Sequence, residues 1–265
     1  MEITHSDELK EAVAILENPS FIARMSDKFS EAVIKPGFEL APDQLKSKIL
    51  ILSDIAINKA LGIAIGSLDK ETHSAPSISN HKLAVGISGA IGGFFGALAL
   101  TMELPITTVL MLRSIADIAD SQGEDISTRE AQLQCVSVFS LGGGSKEIDD
   151  AETIYFAGRI ALAKALGDAA SYLAGKKIVD KSSPVLLKFI SKVSARYGII
   201  VSEKAVAQAM PIIGAAGGAA INLLFTDHFQ RVAKGHFTIR RLERIYGKDY
   251  VYREYVKMKR EVVDG

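Results

Sequence analysis

The chain has 265 residues, 48% of them apolar and 23% charged, which is enough to build a sizeable core and excludes a disordered polymer. Thirty-one basic residues balance 31 acidic ones, so no overall charge selects a polyanionic partner, and the single cysteine, Cys135, excludes an internal disulfide framework and fits a reducing compartment. The opening MEITHSDELKEAV carries neither the basic nor the apolar part of a secretory signal, so a cytoplasmic protein is expected.

Apolar residues recur at helical spacing throughout, and no stretch alternates as a strand does. A first short helix is predicted after Ser6, with Asp7 and Glu8 in its first turn, ending before Pro19. A second opens at Asn18-Pro19, buries Phe21, Ile22, Met25, Phe29 and Val33, and stops at Pro36-Gly37. A third opens at Pro42-Asp43 and lines up Leu45, Ile49, Leu52, Ala56 and Ala60, and Asp69 to Asn80 reads as a loop.

Two uncharged segments follow, 20 residues between Lys82 and Glu103 and 22 between Lys204 and Asp227. Each is long enough to span a bilayer. Both carry small residues four apart, Gly89/Gly93, Gly92/Gly96 and Gly214/Gly218, a spacing that lets helix backbones approach closely. Ten of the first 20 residues are Gly, Ala or Ser, which dilutes the insertion signal and favours burial against protein. The two segments are expected to pack on each other at the centre of an all-α, single-domain bundle covering 1–265.

Between them, Pro105 is expected to start a helix that Gly123 ends, Ser127-Thr-Arg-Glu130 reads as a capping box, and Gly142-Gly143-Gly144 as a stop. A long helix is predicted from about Asp149 to near Gly175 and another from Pro184. Ser202 is expected to cap the helix entering the second glycine-rich segment, which runs on to Tyr246-Gly247, leaving 247–265 as a basic tail.

Signals for chemistry are sparse. Gly142-Gly-Gly-Ser-Lys146 lacks the spacing of a phosphate loop, and Gly86-Ile-Ser88-Gly-Ala90 misses the last glycine of a nucleophile elbow. His5, His73, His81, His228 and His236 form no i,i+4 ligand pair. No catalytic residue, metal or cofactor is assigned. Glu103, Arg113 and Asp117 interrupt an apolar run; Arg113 and Asp117 share a helix face, and the three are expected to pair inside the fold or to form a polar site.

Charge is segregated along the chain. Ten acids face three bases from Glu103 to Glu152, a balance of −7, whereas Arg231 to Arg260 holds ten bases against three acids, a balance of +7. Arg231, Lys234, Arg240, Arg241 and Arg244 lie among apolar residues at helical steps, the pattern of a basic helix resting on an anionic membrane; the alternative is that they pair with the acidic middle.

The run GAIGGFFGALALTMELPITTVLMLRSIADIADSQGEDI resembles the first block of the EcsC family, and KAVAQAMPIIGAAGGAAINLLFTDHFQRVAKGHFTIRRLERIYG resembles the second. The resemblance spans roughly residues 83–246 and rests on Pro105, Arg113, Pro211, Gly214 and Asn222 in order. The family takes its name from the third member of a bacterial operon whose other members form an ABC transporter, which implies a link to export or the envelope. The resulting expectation is a non-enzymatic, membrane-associated accessory protein, peripheral at the inner face of the cytoplasmic membrane. Its expected partner is an anionic membrane surface or transport machinery, with no nucleic acid. The alternatives are a hydrolase acting on a lipid-like substrate and a soluble binding module with an apolar pocket.

Overall fold

The computed structural model describes residues 5–17, 43–67, 97–141, 153–176, 179–208 and 214–262. Over these residues the chain is an all-α bundle of eight α-helices with no strand. They are α1 (Ser6–Glu17), α2 (Asp43–Ser67), α3 (Ala97–Ser121), α4 (Arg129–Ser137), α5 (Ile154–Leu173), α6 (Pro184–Gln208), α7 (Gly214–Tyr246) and α8 (Lys248–Val262), and a 3-10 turn, Val138–Ser140, follows α4.

Glycines in the left-handed region end three helices where the sequence places breaks: Gly123 at φ 77°, Gly175 at φ 72° and Gly247 at φ 86°. Four expectations are corrected. Pro105 lies inside α3, not at its start. The hydrogen bond it removes is outweighed by burial of Leu104, Thr107, Thr108 and Met111 around it. Ser202 lies inside α6, where its hydroxyl donates to the carbonyl of Gly198 at 2.8 Å and buried Ile200, Val201 and Ala205 carry the helix past it. Thr128, one residue later than predicted, caps α4 by accepting from the Ala131 N–H at 3.2 Å, and Glu130 turns towards Arg240, 3.6 Å away. The C-terminal tail is the helix α8, whose Val251 and Tyr255 are buried.

The predicted second helix, the first glycine-rich segment with Gly89, Gly92, Gly93 and Gly96, and the Gly142–Gly144 stop lie outside the described residues. Gly214 and Gly218 fall in the opening turns of α7.

At 33 residues α7 is the longest helix among the described residues, and it lies against α1, α3, α6 and α8. Gln230 donates to Ser114 Oγ, and Thr238, eight residues on, reaches Gln122, eight residues on from Ser114, so α3 and α7 run parallel. A second group of contacts joins α2 to α3, α4 and α6, and α5 bridges α4 and α6. Where these groups meet, Phe139, Tyr197, Phe225 and Phe229 pack edge to face, with Phe139 centred 5.1 Å from Tyr197 and 5.2 Å from Phe229. Thr108 donates to the Leu104 carbonyl at 2.7 Å, so Tyr197 donates its own proton to Thr108 Oγ1 at 2.6 Å and ties α6 to α3.

α5 starts in an unusual way. Its N-cap residue, Thr153, makes no side-chain cap bond. The carboxylate of Glu17, at the end of α1, accepts the N–H groups of Ile154 at 3.0 Å and Tyr155 at 3.3 Å. It also accepts the Tyr255 hydroxyl of α8 at 2.8 Å, and Lys259 stands 3.7 Å away. A fully buried carboxylate thus satisfies orphan donors of one helix and joins three.

Candidate functional site

The Glu17 cap fixes Tyr155 at the head of α5, and Tyr155 in turn holds His236 of α7. The Tyr155 hydroxyl lies 2.9 Å from His236 Nδ1, and Arg159, one turn further along α5, donates to the same oxygen at 3.3 Å. Burial raises the phenol pKa, so the hydroxyl keeps its proton. The phenol oxygen and His236 Nδ1 share one hydrogen bond, whose direction follows the tautomer of the ring. His236 is 1% exposed and its Nε2 has no protein partner. Burial, then Arg159 and Arg240, push its pKa well below the ordinary histidine value, so the ring is neutral at pH 7.

His236 lines an open cleft of about 640 Å³ among α4, α5, α7 and α8, a size typical of small-molecule sites. Leu141, Phe156, Ile160, Leu162, Leu166 and Tyr252 supply its apolar wall. Ile160 is 74% exposed, a large apolar side chain facing open space at the rim. The cleft's two arginines are locked in pairs. Arg159 forks onto Glu243 at 2.7 and 3.0 Å, and Arg240 forks onto Glu124 at 2.9 Å through Nε and Nη2. A reactive nucleophile is harder to find here. Ser137 on the wall donates to the Gln134 carbonyl at 2.7 Å, and Cys135 is buried with its thiol pKa pushed up by desolvation. No cluster of three metal-ligating side chains occurs among the described residues.

The residues singled out from sequence are distributed differently. Glu103 is buried, and its partner is Lys204 of α6 at 2.6 Å. Arg113 and Asp117 are half-buried on α3, and neither lacks a partner. Of the basic set on α7, Arg231 is exposed and Lys234 pairs with Glu11 at 2.7 Å. Arg241 pairs with Glu8 and donates to Gln122 at 2.9 Å, while Arg240 and Arg244 share Glu124. The acidic middle therefore takes up Arg240 and Arg244, and the apolar stripe between the basic residues, Phe229, Val232, Ile239 and Leu242, is in the core. Asn222, which carries part of the family resemblance, is fully buried with neither amide atom partnered. His236 escaped the sequence reading because its partners Tyr155 and Arg159 are about 80 residues away; the one local signal was a histidine four residues before Arg240 on a mostly apolar helix face.

The EcsC protein family matches residues 11–242, nearly the whole described bundle. The chain belongs to the EcsC family. The match runs from the second half of α1 through most of α7, including Glu17, Tyr155, Arg159 and His236, and ends before α8. In this EcsC protein the wall that α8 lends to the cleft, with Tyr252 and Asp249, thus lies beyond the matched span. Neither a curated protein nor a solved structure matches the chain.

Proposed function

We propose that this EcsC protein is a non-enzymatic accessory protein that holds a small amphiphilic molecule in the His236 cleft. The observation that supports this reading is a cleft of about 640 Å³ in which Leu141, Phe156, Ile160, Leu162, Leu166 and Tyr252 form an apolar wall opposite paired charges. The hydrolase alternative draws less support: a catalytic base needs a nucleophile within hydrogen-bond reach, and His236 Nε2 is buried with no such partner. The test is titration with an environment-sensitive apolar dye, repeated on Ala163→Trp, which fills the cleft from its exposed wall. Binding should be lost in the variant while its far-ultraviolet spectrum is kept. Unchanged dye binding would place the apolar site elsewhere and end this reading.

A second reading, peripheral membrane association in support of transport at the inner face of the cytoplasmic membrane, rests on α2 rather than on the basic helix. Its stretch Ser47–Gly66 has a mean hydropathy of 1.7, and Leu50, Ile51 and Ile55 are about half exposed or more. Sedimentation with vesicles should show binding that survives high salt and is lost in Leu50→Ser/Ile51→Ser/Ile55→Ser. Binding that salt abolishes, or that the triple variant retains, would count against α2.

A further inference from the structure

Resting on the second reading above, we infer that α2 and α6 together form a docking face for an anionic lipid bilayer, with apolar side chains of α2 entering among the acyl chains and lysines of both helices meeting acidic headgroups.

The two helices lie side by side and antiparallel. Ser194 of α6 donates to Asp54 of α2. Four residues on in α6 and four back in α2, Gly198 lies so close to Leu50 that a Cβ there would stand 3.0 Å from Leu50 Cδ2. Leu50 and Asp54 therefore edge the seam on α2, and Leu187, seven residues before Ser194, falls on the α6 stripe that lines it. The exposed sides of both helices adjoin across this seam. On α2, Ile51 is 61% exposed, and Ile55 one turn later is half exposed. Lys48 and Lys59 share a stripe with Ile55, on the flank away from α6. On α6, Lys188 and Lys192 are one turn apart on the flank away from α2, where Lys192 donates to the Ala161 carbonyl of α5 at 2.7 Å. An aliphatic strip thus runs between two pairs of lysines.

These cations differ from those of α7 in being unclaimed. Lys234, Arg240, Arg241 and Arg244 each meet a carboxylate. Among the described residues, no carboxylate pairs with Lys48, Lys59, Lys188 or Lys192, and all four are exposed. Asp54 is the one exposed carboxylate among the described side chains of α2 and α6. Lysines beside aliphatic surface lay their stems along it and extend their ammonium groups to acidic headgroups. Protein interfaces centre instead on aromatic residues and arginine, and neither stands among the exposed residues of these two helices. Lys48, Asp54 and Lys59 all fall within the apolar stretch of α2, whose inner side packs on α3, α4 and α6, so the helix rests on the bilayer and does not cross it.

The test is sedimentation of the full chain with vesicles of phosphatidylcholine alone, and of phosphatidylcholine with about 30% phosphatidylglycerol, at low and high salt. At low salt the anionic vesicles should bind at least about tenfold more tightly, and salt should lower that binding to the neutral-vesicle level and not below it. Lys48→Gln/Lys59→Gln/Lys188→Gln/Lys192→Gln should erase the preference and keep binding to neutral vesicles. Lys248→Gln/Arg253→Gln/Lys257→Gln/Arg260→Gln, which removes as many charges from α8, should keep the preference. Equal binding of the wild-type chain to both vesicles, which needs no variant to fold, overturns the anionic face while the α2 reading stands. So does a preference that outlives the four lysines, or an equal loss in the two variants. Binding to neither vesicle overturns both and leaves the face to a protein partner.

Discussion

Lys204 Nζ lies 2.6 Å from Glu103 Oε1, with the lysine side chain 0% and the glutamate side chain 5% exposed. The ammonium also stands 4.7 Å over the Phe225 ring. Burial pulls the lysine pKa down and Glu103 holds it up. A pair this deep costs much to desolvate, so its removal as a unit differs from its breakage. Lys204→Met should destabilise the protein by about 3–5 kcal/mol, because it strands the Glu103 carboxylate. Lys204→Met/Glu103→Leu should be the more stable of the two variants. Urea midpoints decide it, and a double variant no better than the single one would show that the charge left behind is hydrated.

Beside that pair in sequence, Glu203 has an unpartnered Oε2, and burial pushes its pKa up to about 7. In the unfolded chain it ionises near 4.5. Between these values the folded state binds the proton that the unfolded state releases, so Glu203 erodes stability as pH rises from 4.5 to 7. Glu203→Gln should leave stability unchanged at pH 4 and raise it at pH 8. Parallel profiles for the two proteins in denaturant titrations would refute the shift.

Glu124 acts in the opposite sense. Burial raises its pKa, but its hydrogen bonds and charge contacts with Arg240 and Arg244 outweigh this and bring it below 4.5. The stability it contributes is present above pH 4.5 and lost as pH falls through its lowered value. Glu124→Gln should therefore be less stable than wild type at neutral pH, and the gap should close in acid. A gap that stays constant from neutral pH to pH 3 would show that the carboxylate charge is not what holds the two arginines.

Gly235 of α7 meets Leu16 of α1 so closely that a Cβ there would lie 2.9 Å from Leu16 Cγ. Gly235→Ala should destabilise by about 1–3 kcal/mol through overpacking. In combination with Leu16→Ala it should cost less than the two single changes added, since the new methyl enters the vacated space. Strict additivity in thermal unfolding would mean that the helices shift apart instead.

The parts of the fold that depend on neighbours in sequence could be read directly. Gly123, Gly175 and Gly247 end helices because each supplies a left-handed turn, and Pro184 starts α6 because its missing N–H is an orphan there. Pro105 and Ser202 misled for a shared reason: local propensity puts them at helix ends, and burial of their neighbours carries the helix through. The basic residues of α7 follow the periodicity of a membrane-surface helix, yet Glu8, Glu11 and Glu124, more than 100 residues away, take up four of them. Periodicity shows which face a residue is on and not what stands opposite. The same limit hid Lys204 behind Glu103 and Tyr155 behind His236.

The node at Glu17 has a consequence in time. This carboxylate leaves the ribosome 238 residues before the Tyr255 hydroxyl that it finally accepts. Without α8 the carboxylate would keep only its bonds to the head of α5, and the cleft would lack the wall that Tyr252 provides. The bond that ties α8 to the head of α5 is thus the most widely separated in sequence at this node, and closing it waits on α8. A chain cut short at Gly247 would lose the Tyr255 bond to Glu17 and the Tyr252 wall of the cleft together.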